Sequence, residues 1–135
     1  MSNGLKGSAP ISPFLGIYRW RYTFLNPSIL HRVSGVLLSL GLLVLTYFLM
    51  AVASGPQSYS RAQATLTSAW FCVFYVAWTW SFLYHLFAGI RHLVLDTGHG
   101  LERRSARLTA TAVVTASLLL TLPCCWALAR RFGLL

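Results

Sequence analysis

Carboxylates are nearly missing from this sequence. Across 135 residues only Asp96 and Glu102 are acidic, and charged residues of both signs make up 10%. A soluble domain carries about a quarter, so an ordinary water-facing surface is excluded. The three cysteines, Cys72, Cys124 and Cys125, lie inside apolar runs and have no spacing suited to zinc or an iron-sulfur cluster; they are expected to be small packing residues. The N-terminal stretch MSNGLKGSAPISP has no apolar core of the kind a secretory signal needs, and no cleavable leader is expected. No internal repeat is visible.

What the chain has instead is apolar length and a strong excess of cations. Hydrophobic residues account for 56%, and the net charge is +9. That charge invites a nucleic-acid reading, which fails because the cations sit in short clusters at the borders of apolar runs rather than along one helical face. Cations flanking apolar spans are the pattern of membrane orientation, with lipids as the surrounding partner.

Residues 1–25 are polar to mixed, broken by Gly4, Gly7, Pro10 and Pro13, and Ile17 to Phe24 alternates aromatics with Arg19 and Arg21 in the manner of a membrane interface. Asn26 followed by Pro27 predicts a helix start. Three spans are expected at about 28–52, 66–95 and 108–128, within a single transmembrane domain over 26–135. Gly55 and Pro56 mark the stretch 51–63 as a short connection, a loop is expected over 97–107, and Pro123 is expected to kink the third span near its end. Three crossings put the N-terminus and the 97–107 loop on one side, with Lys6, Arg19, Arg21, Arg32, Arg91, Arg103, Arg104 and Arg107; Arg61, Arg130 and Arg131 lie on the other. The richer side is therefore expected to be cytoplasmic, or its mitochondrial equivalent. The fold class this predicts is an all-α membrane protein of three transmembrane helices.

Polar groups inside such spans are costly and mark function. In the second span His85, Gly89, His92 and Asp96 fall at i, i+4, i+7 and i+11 on one helical face, with Arg91 beside them. In the first, Ser28, His31, Arg32 and Gly35 fall at i, i+3, i+4 and i+7. Antiparallel crossing brings both clusters to the same end, with the two glycines leaving room between helices. A histidine one or two turns inside the boundary suits haem iron as a neutral imidazole, and haem propionates would seek Arg32, His31 or His92. Ser28 and Arg32 are donors of the kind a quinone carbonyl needs. Blander roles fit the same residues: an interhelical hydrogen bond or proton relay for His85, snorkelling anchors for Arg91 and His92, and a first-turn backbone bond for Ser28. His99, in the loop, is expected to be solvated.

Three motifs, SPFLGIY (Ser12 to Tyr18), SILHRVSG (Ser28 to Gly35) and HLFAGIRHLVLDTGHG (His85 to Gly100), together resemble the cytochrome b membrane-anchor subunit of succinate dehydrogenase, respiratory complex II. The resemblance covers roughly residues 12–107, the third span matching only in hydropathy. It implies half of a two-subunit anchor bundle, three helices from each subunit. It also implies haem b ligated by His85 on one side and by the second anchor subunit on the other, with His31 near the propionates. Ser28 and Arg32 would match a ubiquinone site beside the iron-sulfur subunit, and Asp96 a carboxylate with a structural or proton-supply role. The Cys124–Cys125 pair and the arginine-rich loop depart from the pattern without touching these motifs.

On that resemblance, electrons from succinate would pass from a flavoprotein subunit through iron-sulfur clusters to ubiquinone held by Ser28, Arg32 and partner residues. This chain itself has no flavin site, cluster cysteines or carboxylate pair for succinate, and would be non-catalytic for that half-reaction. The expected location is a bacterial inner membrane rather than the mitochondrial one. The alternative function is a small three-helix proton-relay or transporter component without haem.

Overall fold

The computed structural model describes residues 27–133. The N-terminal segment expected over 1–25, its SPFLGIY motif and the Asn26 cap lie outside the described residues. Four helices follow in order: α1 (Pro27–Ala53), α2 (Pro56–Leu66), α3 (Ala69–Asp96) and α4 (Arg103–Arg131). There is no strand among the described residues. Three of the helices, α1, α3 and α4, are long and apolar enough to cross a membrane. The expected all-α membrane architecture is what the chain adopts.

The central element is α3, which packs against both α1 and α4, while α2 lies on α1. The side chains buried along the three spans are small or polar: Ser34, Gly41 and Ala51 on α1, Ser81, Tyr84 and Ala88 on α3, Ser117 and Thr121 on α4. The large aliphatics face outward, with Val36, Leu42, Leu43 and Met50 on α1 each more than half exposed. A bilayer gives helices no hydrophobic reason to associate, so close backbone approach through small residues replaces it. Ser34, Ser117 and Thr121 bond back into their own helices, Thr121 Oγ1 to the Ser117 carbonyl at 2.7 Å.

Two boundaries differ from the sequence expectation. The stretch 51–63 is mostly helix α2 rather than a simple connection, and α3 begins at Ala69, after it. Gly55 and Pro56 do punctuate the chain, but as a helix junction. Gly55 takes a positive φ of 103°, which turns the chain out of α1, and Pro56 fills the first turn of α2, where its missing N–H costs nothing. Polar composition concealed α2, which buries only Ala62 and Leu66. The other correction concerns α4. It starts at Arg103, inside the expected loop, and runs through Pro123 to Arg131.

Gly41 fixes how close α1 and α3 come, since any Cβ there would overlap the Trp78 indole. Gly41→Ala is therefore expected to lower the thermal stability of the assembled protein by about 1–3 kcal/mol, the usual cost of overpacking. A melting curve on the purified protein checks this, and an unchanged midpoint would show that this contact does not set the helix spacing.

Candidate functional site

The start of α1, the end of α3 and the start of α4 meet at one end of the bundle. The antiparallel run of α1 and α3 there brings together three imidazoles that are far apart in sequence. His31 of α1 stacks on His85 of α3, ring centroids 3.9 Å apart and planes 15° from parallel. His92, two turns further along α3, has its ring centroid 5.2 Å from that of His31, with the planes tilted at 56°. The glycines interlock with them: Gly35 lies against His85, where a Cβ would stand 3.2 Å from Cε1, and Gly89 lies against His31, 3.9 Å from Nε2. The face expected on α3 is thus the one that meets α1, at least for His85, Gly89 and His92.

The proton on His85 can be placed by elimination. Its Nδ1 is 3.1 Å from the His31 carbonyl oxygen, which can only accept. It is also 3.1 Å from Ser34 Oγ, whose own hydrogen is committed to the same carbonyl at 2.8 Å. Only one arrangement satisfies all three contacts. Nδ1 carries the hydrogen and shares it between the His31 carbonyl and Ser34 Oγ, so that in the neutral imidazole the lone pair of His85 is on Nε2. That is the tautomer a metal-ligating histidine adopts when its other nitrogen donates to a backbone carbonyl. Ser34 is fully buried, so this arrangement is shielded from competing water. His31 Nε2 is also buried and has no hydrogen-bond partner among the described residues. An unpaired buried polar group costs about 1–3 kcal/mol, so this nitrogen is suited to an acceptor or donor brought by a ligand.

Around this cluster the other expected residues separate. The packed seam of α1 is His31, Ser34, Gly35 and Gly41, whereas Ser28 and Arg32 lie exposed to one side of it. Asp96 is exposed as the last residue of α3, one turn beyond the exposed His92. Arg91 does not snorkel to water. Its Nε donates to Thr109 Oγ1 at 3.1 Å and its Nη2 to the Ala106 carbonyl at 3.2 Å, which ties α3 to α4. His99 is exposed, as expected, with Nδ1 2.9 Å from Thr97 Oγ1. The three cysteines are free and half-buried.

Two residues with structural weight at the site had no role assigned from sequence. Ser34 lies inside the SILHRVSG motif, three residues after His31, and its signal was a hydroxyl on the side of α1 that carries the histidine. Tyr84 is fully buried beside His85, with Trp80 stacked on its ring at 5.4 Å. Its hydroxyl donates to the Pro27 carbonyl at 3.2 Å. Aromatic content alone could not separate it from lipid-facing neighbours such as Phe82, which is 55% exposed.

The comparisons by sequence bear on the bundle as a whole. A family model described as the succinate dehydrogenase/fumarate reductase transmembrane subunit matches residues 6–123. The chain belongs to that family. Among similar family members, the succinate dehydrogenase cytochrome b556 subunit of Paracoccus denitrificans is 32% identical over 120 residues, covering 89% of this chain and 92% of its own. That of Rickettsia prowazekii is 35% identical over 116 residues, with 84% and 87% covered. The cytochrome b560 subunit of Reclinomonas americana is 36% identical over 118 residues, with 84% and 81% covered. As a member of the succinate dehydrogenase/fumarate reductase transmembrane family, the chain is a membrane subunit of an oxidoreductase complex.

The two glycines make different demands. Gly35→Ala must push the His85 ring aside by a few tenths of an ångström, against its bonds to His31 and Ser34, whereas Gly89→Ala meets His31 at ordinary contact distance. Gly35→Ala is expected to destabilise by about 1–2 kcal/mol and Gly89→Ala by less. Thermal midpoints of the two variants check the order, and the reverse order would contradict the packing described.

Proposed function

We propose that this chain is a cytochrome b membrane anchor of a succinate:quinone oxidoreductase, contributing one axial ligand to haem b and one wall of a ubiquinone site. The observation that carries the reading is the bond from His85 Nδ1–H to the His31 carbonyl, with Ser34 completing it, because it assigns Nε2 as the lone-pair nitrogen of the neutral ring. Family membership favours this over a three-helix proton-relay transporter. The second axial ligand would come from a second anchor subunit, for which the exposed aliphatic face of α1 offers area alongside lipid. The iron-sulfur and flavoprotein subunits would dock at the end that carries Ser28 and Arg32. That end is then cytoplasmic, the 1–25 segment lies on the same side of a bacterial inner membrane, and 26–135 form one transmembrane domain.

Each of this chain's residues has a distinct task on that reading. His85 holds iron, and the His31 carbonyl and Ser34 keep its ring in orientation and raise its basicity. His31 Nε2, which has no hydrogen-bond partner among the described residues, and the exposed His92 would meet the haem propionates, and Arg32 would supply a full positive charge. Haem b, when bound, would supply a one-electron store. Arg32 and Ser28 act on the substrate itself. They occupy successive turns of α1, so a guanidinium and a hydroxyl are presented on one side of the helix start. Arg32 polarises a quinone carbonyl and stabilises the negative charge that grows on its oxygen as electrons arrive, while Ser28 donates a hydrogen bond. Asp96, exposed at the same end, is available for a structural or proton-supply role.

Arg32→Leu tests the quinone assignment in the whole complex. Succinate-dependent quinone reduction is expected to fall by about 10²-fold, the scale for removal of one such electrostatic donor, while succinate oxidation with a soluble artificial acceptor persists. Equal loss of both rates would sink the assignment.

A further inference from the structure

We propose that Tyr84 is a positioning residue for the quinone site, acting through the carbonyl of Pro27 to hold the first turn of α1 in place. The inference rests on the reading that Ser28 and Arg32 receive the quinone. Tyr84 is the largest fully buried side chain among the described residues, and a buried phenol needs a partner. Its hydroxyl finds one 57 positions away in sequence, on the first residue of α1.

Packing does not explain the hydroxyl. Trp80 covers the ring face, and a phenylalanine at this position would fill the same space. What the oxygen adds is a bond to the element most prone to fray. The first turn of any helix has donors without intrahelical partners, and here it contains no acidic residue to offset the dipole. The Pro27 carbonyl is engaged within the helix by the N–H one turn on, and its second lone pair is free to accept from Tyr84. Ser28 is the next residue in the chain. Adjacent side chains of α3 thereby take two α1 carbonyls one helical turn apart: Tyr84 takes Pro27, and His85 takes His31. Ser28 lies between those two anchors and Arg32 just beyond the second. Loss of the Tyr84 bond releases the outer anchor alone, so it loosens the Ser28 end of the turn and leaves the His31–His85 contact intact.

A donor that is held in place costs the substrate less ordering on binding. The signature is therefore a rise in KM for quinone with little change in kcat. In the intact complex, assayed with a short-tailed ubiquinone analogue, Tyr84→Phe is expected to raise that KM about fivefold, the factor corresponding to about 1 kcal/mol for one hydrogen bond. Haem absorbance and succinate oxidation by an artificial acceptor are expected to stay at wild-type levels. An unchanged KM overturns the proposal, and so does a rise accompanied by matching losses in haem and in the artificial-acceptor rate, which would be a general packing defect. Arg32→Leu is measured alongside. If it impairs quinone reduction while Tyr84→Phe does not, the positioning role alone falls; if it leaves quinone reduction intact, the quinone site and this role fall together. Should Tyr84→Phe fail to assemble, 3-fluorotyrosine at position 84 keeps the hydroxyl as a stronger donor. A KM below wild type then supports the proposal, and an unchanged or raised KM overturns it.

Discussion

One hydrogen bond organises this end of the molecule: His85 Nδ1–H on the carbonyl of His31. For it to form, α1 and α3 must approach closely enough for an imidazole on one helix to reach the backbone of the other. Gly35 makes the room, the stacked His31 ring fixes the angle, and Ser34 accepts the remaining share of the hydrogen while donating its own to the same oxygen. A chain of this kind is stronger in a low-dielectric interior than at a wet surface, and correspondingly costly if left incomplete. The residues proposed to meet haem and quinone depend on it for their position. His85 itself and the His31–Arg32 turn of α1 are held by it directly.

The same logic runs through the rest of the bundle. Large aliphatics turn outward, and the contacts between helices are made by Gly41 against Trp78, by buried serines, and by Arg91 reaching from α3 to α4. Tertiary structure here is carried by shape and by hydrogen bonds, with the solvent contributing little between helices. That gives individual polar residues unusual influence, and a single methyl group at Gly35 or Gly41 falls directly on a contact between spans.

Much of this could be seen in the amino-acid sequence. The spans are visible as apolar length, and His85, Gly89 and His92 are visible as one face because helical spacing is geometry rather than environment. Antiparallel crossing then required the two polar clusters to meet. What stayed hidden has specific physical causes. The polar helix α2 lacks the apolar run that marks a span, and Gly55–Pro56 signals a break without saying that a helix follows it. The inward side of α1 is set by Ser34, Gly35 and Gly41, whereas its polar spacing pointed to Ser28 and Arg32, which lie beside that seam. Arg91 looked like a surface anchor because its acceptors, Thr109 and the Ala106 carbonyl, belong to a helix 15 or more residues away. Tyr84 was one aromatic among many until its hydroxyl had a partner.

The central claim is that the bond to the His31 carbonyl leaves His85 Nε2 to bind haem iron. The most direct measurement is a reduced-minus-oxidised absorbance spectrum of the purified complex, comparing the natural chain with His85→Ala at equal flavin content. The account predicts a b-type band in the first and its loss, or displacement to a high-spin form, in the second. A band of unchanged position and height in His85→Ala would contradict it.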